Sequence, residues 1–109
     1  MKLSSRLAAF FVAFLSASCL HATAQTPPIL VLNSLDASVS VIDPATWKEP
    51  RRIPTGQEPH HLYLPPADKS VILANALGDS LTLIDPRTAE VQRTVRGILD
   101  PYHLRFSPD

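Results

Sequence analysis

One cysteine, no surplus of either charge and no helical periodicity of useful length beyond the N-terminal segment: this sequence excludes a good deal before it offers anything. Cys19 is the single cysteine among 109 residues, and it lies inside an apolar leader. A mature chain without that leader has no thiol, so disulfides, thiolate metal sites and cysteine nucleophiles fall away together. Ten Lys and Arg residues balance ten Asp and Glu. No basic surplus argues for nucleic acid, and no acidic tail argues for a solvating role. Sequence signatures of several enzyme classes are missing too: G-x-S-x-G, H-E-x-x-H, a phosphate loop and the C-x-x-C-H haem attachment are all absent. Serine hydrolases, zincins, nucleotide enzymes and covalently bound c-type haem therefore lack their usual marks.

The N-terminus is the first positive signal. Lys2 and Arg6 precede the apolar run "LAAFFVAFLSASCL", residues 7–20, and Ala22-Thr23-Ala24 stands just before Gln25. A charged start, an apolar middle and a small-x-small site make up a secretory signal peptide. Residues 1–24 are expected to be removed on export, leaving 25–109 in the periplasm or secreted. The run is shorter than the roughly 20 residues of a spanning helix, so no stable membrane span is expected after cleavage. Lipidation at Cys19 is the alternative processing route. Ser16 stands where lipoprotein signals usually carry an aliphatic residue, and 22–24 is the better site.

The remainder is a repeat. At an offset of 42 residues, "ILVLNSLDASVSVIDPAT" (29–46) falls on "VILANALGDSLTLIDPRT" (71–88), and "TGQEPHHLYLPP" (55–66) on "GILDPYHLRFSP" (97–108), with 12 identities in 39 ungapped pairs. The blade repeats are thus 29–70 and 71–109. A period of this length with several short strands is the mark of a propeller blade. Val39 and Val41, like Leu81 and Leu83, alternate with Ser40 and Thr82 in the period-2 pattern of a half-buried strand. Asp43-Pro44 and Asp85-Pro86 then stop the strand: the Asp side chain accepts from backbone N–H groups just ahead, and Pro presets φ for a turn. The return strands, "KEPRRI" and "EVQRTV", are polar and suit an outer edge, with Arg51, Arg52, Arg93 and Arg96 facing solvent. Asn33 and Asn75 end their strands and are expected to bond loop backbone. The fold class is all-β, built of antiparallel four-stranded β-propeller blades, with about two blades' worth present.

These residues resemble the YVTN-type β-propeller repeat. The aromatic-Val-Thr-Asn element of that repeat corresponds to residues 30–33 and 72–75, Val-x-Val-Ile-Asp to 39–43 and 81–85, the Gly-x-x-Pro-His loop to 56–60, and the start of the Ser-Pro-Asp-Gly turn to 106–109. The first element lacks its tyrosine, and "PPADKS" replaces the turn at 65–70. On this resemblance the chain supplies three strands of one blade, four of the next and the first of a third, eight strands in all. A closed ring needs about four to eight blades, so the sequence is expected to be a fragment of a longer reading frame, with self-association of several copies as the alternative.

The resemblance also places the Pro-His element at the innermost strand, so His60, His61, Tyr102 and His103 are expected to cluster near the mouth of a central channel. Imidazole binds metals and haem iron well, and similar d-type haem-domain propellers use a histidine there. His61 and His103 recur at one repeat position, which a structural role explains. His60 aligns with Tyr102 and is the better ligand candidate. The resemblance points to an exported binding or scaffold module that takes a protein or small-molecule partner at the channel mouth, with no cofactor expected. A haem- or metal-dependent redox protein and a lactonase-like hydrolase are the alternatives.

Overall fold

The computed structural model describes residues 25–67 and 69–108. The expected leader, its cleavage site and Cys19 lie outside the described residues, as do Asp68 and Asp109. Seven strands are described: β1 (Ile29–Asn33), β2 (Ser38–Ile42), β3 (Arg51–Pro54), β4 (Pro59–Tyr63), β5 (Val71–Asn75), β6 (Ser80–Ile84) and β7 (Val91–Arg96). They form two antiparallel sheets, ordered β1-β2-β3 and β4-β5-β6-β7. The all-β expectation of partial propeller blades is met. The expected eighth strand is not formed, because residues 101–108 carry no strand. Its repeat counterpart β4 draws its ladder from β5, and no described strand stands beside 101–108 to do the same.

The repeat is deeper in the backbone than in the side chains. Among the described residues six non-glycine residues have positive φ, and they form three pairs 42 apart: Ala37 (47°) with Asp79 (44°), Trp47 (58°) with Ala89 (58°), and Glu58 (51°) with Asp100 (42°). Left-handed conformations cost an L-residue about 1–2 kcal/mol. What holds them is a shared frame of hydrogen bonds: the N–H groups of Trp47 and Ala89 donate to the carbonyls of Asp43 and Asp85, at 2.7 and 2.8 Å. Side-chain identity at these tips is therefore free to differ, and the 76%-exposed indole of Trp47 stands where its mate is a buried alanine.

The core lies between the sheets. Pairing puts Leu30, Leu32, Val39, Val41 and Ile53 on one face of the first sheet. It puts Leu62, Leu73, Thr82 and Ile84 on one face of the second. Val39, Val41, Ile53, Leu73, Ile84 and Ala89 form one buried cluster with Leu30, Leu32 and Leu62 packed against it. Burying a side chain such as Leu73 or Ile84 contributes about 1.5–3 kcal/mol. The outer strands β3 and β7 are largely exposed, as the arginine-rich edges require. Arg52 pairs there with Glu49 at 2.8 Å; exposed pairs of this kind stabilise by about 1 kcal/mol at most.

Asn33 and Asn75 depart from expectation. Each donates from Nδ2 to side-chain hydroxyls on the next strand, not to loop backbone: Asn33 to Ser38 (3.3 Å) and Ser40 (2.9 Å), Asn75 to Ser80 (3.1 Å) and Thr82 (2.9 Å). The register explains it, since Asn33 pairs with Ser38 and Asn75 with Ser80, and alternation returns Ser40 and Thr82 to the same face. The second triad is fully buried beneath Gly56. A Cβ built there would stand 2.8 Å from Asn75 Cβ and 2.7 Å from Ser80 Oγ.

Candidate functional site

The loop 55–58 delivers the chain into β4. Gly78 N–H donates to Gln57 C=O and Ala76 N–H to Glu58 C=O, both at 3.0 Å. Ser34 Oγ donates to the Pro59 carbonyl at 2.7 Å, tying the β1–β2 turn to the same point. Pro59 is buried, and the entry to β4 is thereby fixed on three sides.

Beyond Pro59 the ladder is irregular. Pro59 pairs with Asn75 and His61 with Ala74, so His60 is an extra residue in a β-bulge. In a regular strand neighbours point to opposite faces; a bulge re-aims one of them. Here it brings both imidazoles together, with Nδ1 of His60 and His61 3.0 Å apart and ring centroids 4.7 Å apart at 29°. Tyr102 packs 4.6 Å from His60 and 5.0 Å from His61. His103 completes the group, 5.3 Å from His61 and 4.8 Å from Tyr102. All four residues singled out in the sequence meet. A fifth was missed: Tyr63 lies 6.0 Å from His61 and donates its hydroxyl to the Tyr102 carbonyl at 2.9 Å. Its spacing, two residues after His61 on the same side of a strand, was the available signal.

The contact between the two histidines constrains their protons. One Nδ1 must carry hydrogen and the other must accept, so both rings cannot be doubly protonated while the bond persists. When both rings are neutral, the ring that donates from Nδ1 has a bare Nε2, and the ring that accepts carries Nε2–H. Burial holds the His61 pKa below its ordinary value, and the neighbouring His60 and His103 lower it further. Among the described residues no group of three or more His, Cys, Asp or Glu is placed to hold a metal ion.

The other polar candidates serve the turns. Asp43 Oδ1 accepts from Ala45 N–H at 2.9 Å and Oδ2 from Thr46 Oγ1 at 3.0 Å; Asp85 Oδ1 accepts from Arg87 and Thr88 N–H at 2.8 and 3.2 Å. These bonds, led by those from Ala45 and Arg87, hold both carboxyls below the usual range. A cleft of about 440 Å³ opens beside the same turns, lined by Pro28, Val41, Asp43, Arg51 and Arg87 among others. Arg51 there donates to the Thr88 carbonyl. The cleft lies at the end of the sheets where β2 finishes, away from the bulge, and its turn carboxylate is already engaged. The imidazole cluster is the stronger site.

The model of the YNCE-like beta-propeller family matches residues 4–109. This chain belongs to that family. The propeller resemblance read from the sequence is met, and the two sheets are blades of a YNCE-like propeller. No curated protein matches the chain. Among solved structures it is similar to PpgL, the periplasmic gluconolactonase of Pseudomonas aeruginosa, with 24% identity and a TM-score of 0.47 over 71% of this chain. The chain spans 27% of the length of that protein. Among the described residues of this YNCE-like chain no helix is long and apolar enough to cross a membrane.

Proposed function

We propose that this chain is an exported, non-catalytic binding module of the YNCE-like type, which takes a planar ligand or an aromatic side chain of a protein partner on the cluster of His60, His61, Tyr102 and His103. The reading rests on the bulge at His60, which turns two neighbouring imidazoles onto one side of β4 and gathers Tyr102 and His103 around them. Tyr102 is 46% exposed, so an aromatic face is open to stack on a π surface. The imidazole pair adds one acceptor and one donor at its two Nε2 atoms. Export rests on the leader at 1–24, and the location is periplasmic or extracellular.

Ligand-observed NMR with a set of small aromatic compounds tests it. Line broadening by the wild-type chain that is lost in Tyr102→Ala and His60→Ala supports the module; equal broadening by all three, or none by any, overturns it.

The bare Nε2 favours a second reading, in which the cluster offers one imidazole to haem iron, its Nδ1–H held by the other ring as ligating histidines commonly are. Adding hemin and recording the Soret band separates the two: a shift abolished by His60→Ala supports this reading, and an unshifted band rejects it.

A further inference from the structure

The turn between β6 and β7 carries a side chain that the turn does not use. Arg87 N–H donates to Asp85 Oδ1 at 2.8 Å, as Ala45 N–H donates to Asp43 Oδ1 at 2.9 Å one repeat earlier. The backbone makes the bond in both turns, and alanine serves as well as arginine. The guanidinium of Arg87 is therefore a departure from the repeat that turn-making leaves unexplained.

That guanidinium lines the cleft of about 440 Å³ beside the two turns, which Arg51 of β3 lines as well. Arg51 is held in place by its bond to the Thr88 carbonyl, which spends one of its five N–H donors. Among the described residues neither Arg51 nor Arg87 forms an ion pair with a carboxylate. Asp43 is the one carboxylate in the lining, and it accepts from Ala45 N–H and Thr46 Oγ1. The Asp85 carboxylate accepts from the Arg87 and Thr88 N–H groups and does not line the cleft. Two guanidiniums against one carboxylate leave the lining with a single net positive charge.

The rest of the wall is apolar and stiff. Pro28, Val41, Pro44 and Pro50 belong to it, and proline's fixed φ orders such a wall before anything binds. The volume lies within the range of about 300–1,000 Å³ usual for small-molecule clefts. A guanidinium presents parallel N–H donors that match the two oxygens of a carboxylate. One net charge calls for a monoanion, and the apolar wall calls for a hydrocarbon body behind it.

We propose that this cleft is a second ligand site, taking a small monocarboxylic acid with an apolar body: its carboxylate on Arg51 and Arg87, its body against Pro28, Val41 and Pro50. The site uses none of the imidazole cluster and stands or falls apart from it.

Titration of the isotope-labelled exported product with cyclohexanecarboxylate, followed by backbone amide shifts, tests the site. This acid has no aromatic ring to stack on the imidazole cluster. Saturable shifts at the Arg51 and Thr88 amides, with affinity about tenfold weaker in Arg87→Ala and partly recovered in Arg87→Lys, support the proposal. No saturable shift, or equal affinity in Arg87→Ala, overturns it. Cyclohexanecarboxamide has the same shape without the charge and is expected not to bind; binding as tight as that of the acid overturns the role of the arginines. Inorganic phosphate binding as tightly as the acid overturns the apolar half of the site. Because alanine already makes this turn at position 45, Arg87→Ala is expected to keep the wild-type sheet signal in circular dichroism. Arg87→Gln, which keeps most of the side chain's reach without its charge, should lose affinity alike, and unweakened binding by it counts against the proposal as directly.

Discussion

His60 and His61 are neighbours in a strand, yet their Nδ1 atoms stand 3.0 Å apart. Alternation forbids that contact in a regular ladder, and the bulge between Pro59 and His61 permits it. One extra residue thus converts a repeated structural histidine into half of a coupled pair.

The pair makes the fold sensitive to mild acid. His61 has its pKa lowered by burial first, then by His60 and His103. The unfolded chain takes up its proton near the ordinary value of about 6.5, while folded His61 resists it. Stability from this group is complete above that value and declines as pH falls from about 6.5 toward the lower folded pKa. Urea titrations at neutral pH and about pH 5.5 should show the lower midpoint in acid, with a smaller difference in His61→Phe. An NMR titration should find the His61 pKa higher in His60→Ala than in the wild type.

The two asparagine triads predict unequal losses. Asn75→Ala strips a donor from two buried hydroxyls and is expected to cost about 1–3 kcal/mol. Asn33→Ala acts on a part-buried triad and should cost less, about 1 kcal/mol. Chemical denaturation of both variants checks the order; equal losses would refute the role given to burial.

Gly56 and Gly78 leave no room for a side chain. A Cβ at Gly78 would meet Gln57 N at 2.6 Å, and one at Gly56 would meet the Asn75 side chain. Overpacking of this kind typically costs about 1–3 kcal/mol. Gly78→Ala is expected to be the worse, because the obstacle is backbone and cannot rotate away. Thermal melts of the two variants decide it.

The turn carboxylates should weaken the protein only in strong acid. Asp43 and Asp85 are held below the usual carboxylate range by the N–H groups they accept from. Their contribution is present above the unfolded value of about 3.9 and is lost as pH falls through the folded pKa. Asp85→Ala should lower Tm at neutral pH and flatten its fall below about pH 4; an unchanged acid limb would count against the turn role.

Much of this was legible in sequence because repetition doubles the signal. The Asp-Pro turns, the alternating β2 and β6 and the exposed arginines each appear at two equivalent positions, and each lies where pattern alone predicts. The meeting of His60, His61, Tyr102 and His103 followed from the family resemblance, since the pairs are some 42 residues apart. The bulge was not legible: an extra residue is defined against its partner strand, and "EPHHLY" reads equally well as regular ladder. The hydroxyl partners of Asn33 and Asn75 were missed for a similar reason, as register across a hairpin fixes them. Residues 101–105 repeat the sequence of β4, yet no strand lies beside them among the described residues.

The left-handed tip at Trp47 has a practical side. It is the only tryptophan in the sequence, and its indole already faces water in the native fold. Its fluorescence should therefore change little when the sheets come apart. The informative chromophores are Tyr63 and Tyr102, whose rings flank the paired histidines, so an absorbance or tyrosine-emission record would follow this region while a tryptophan record stayed nearly blind.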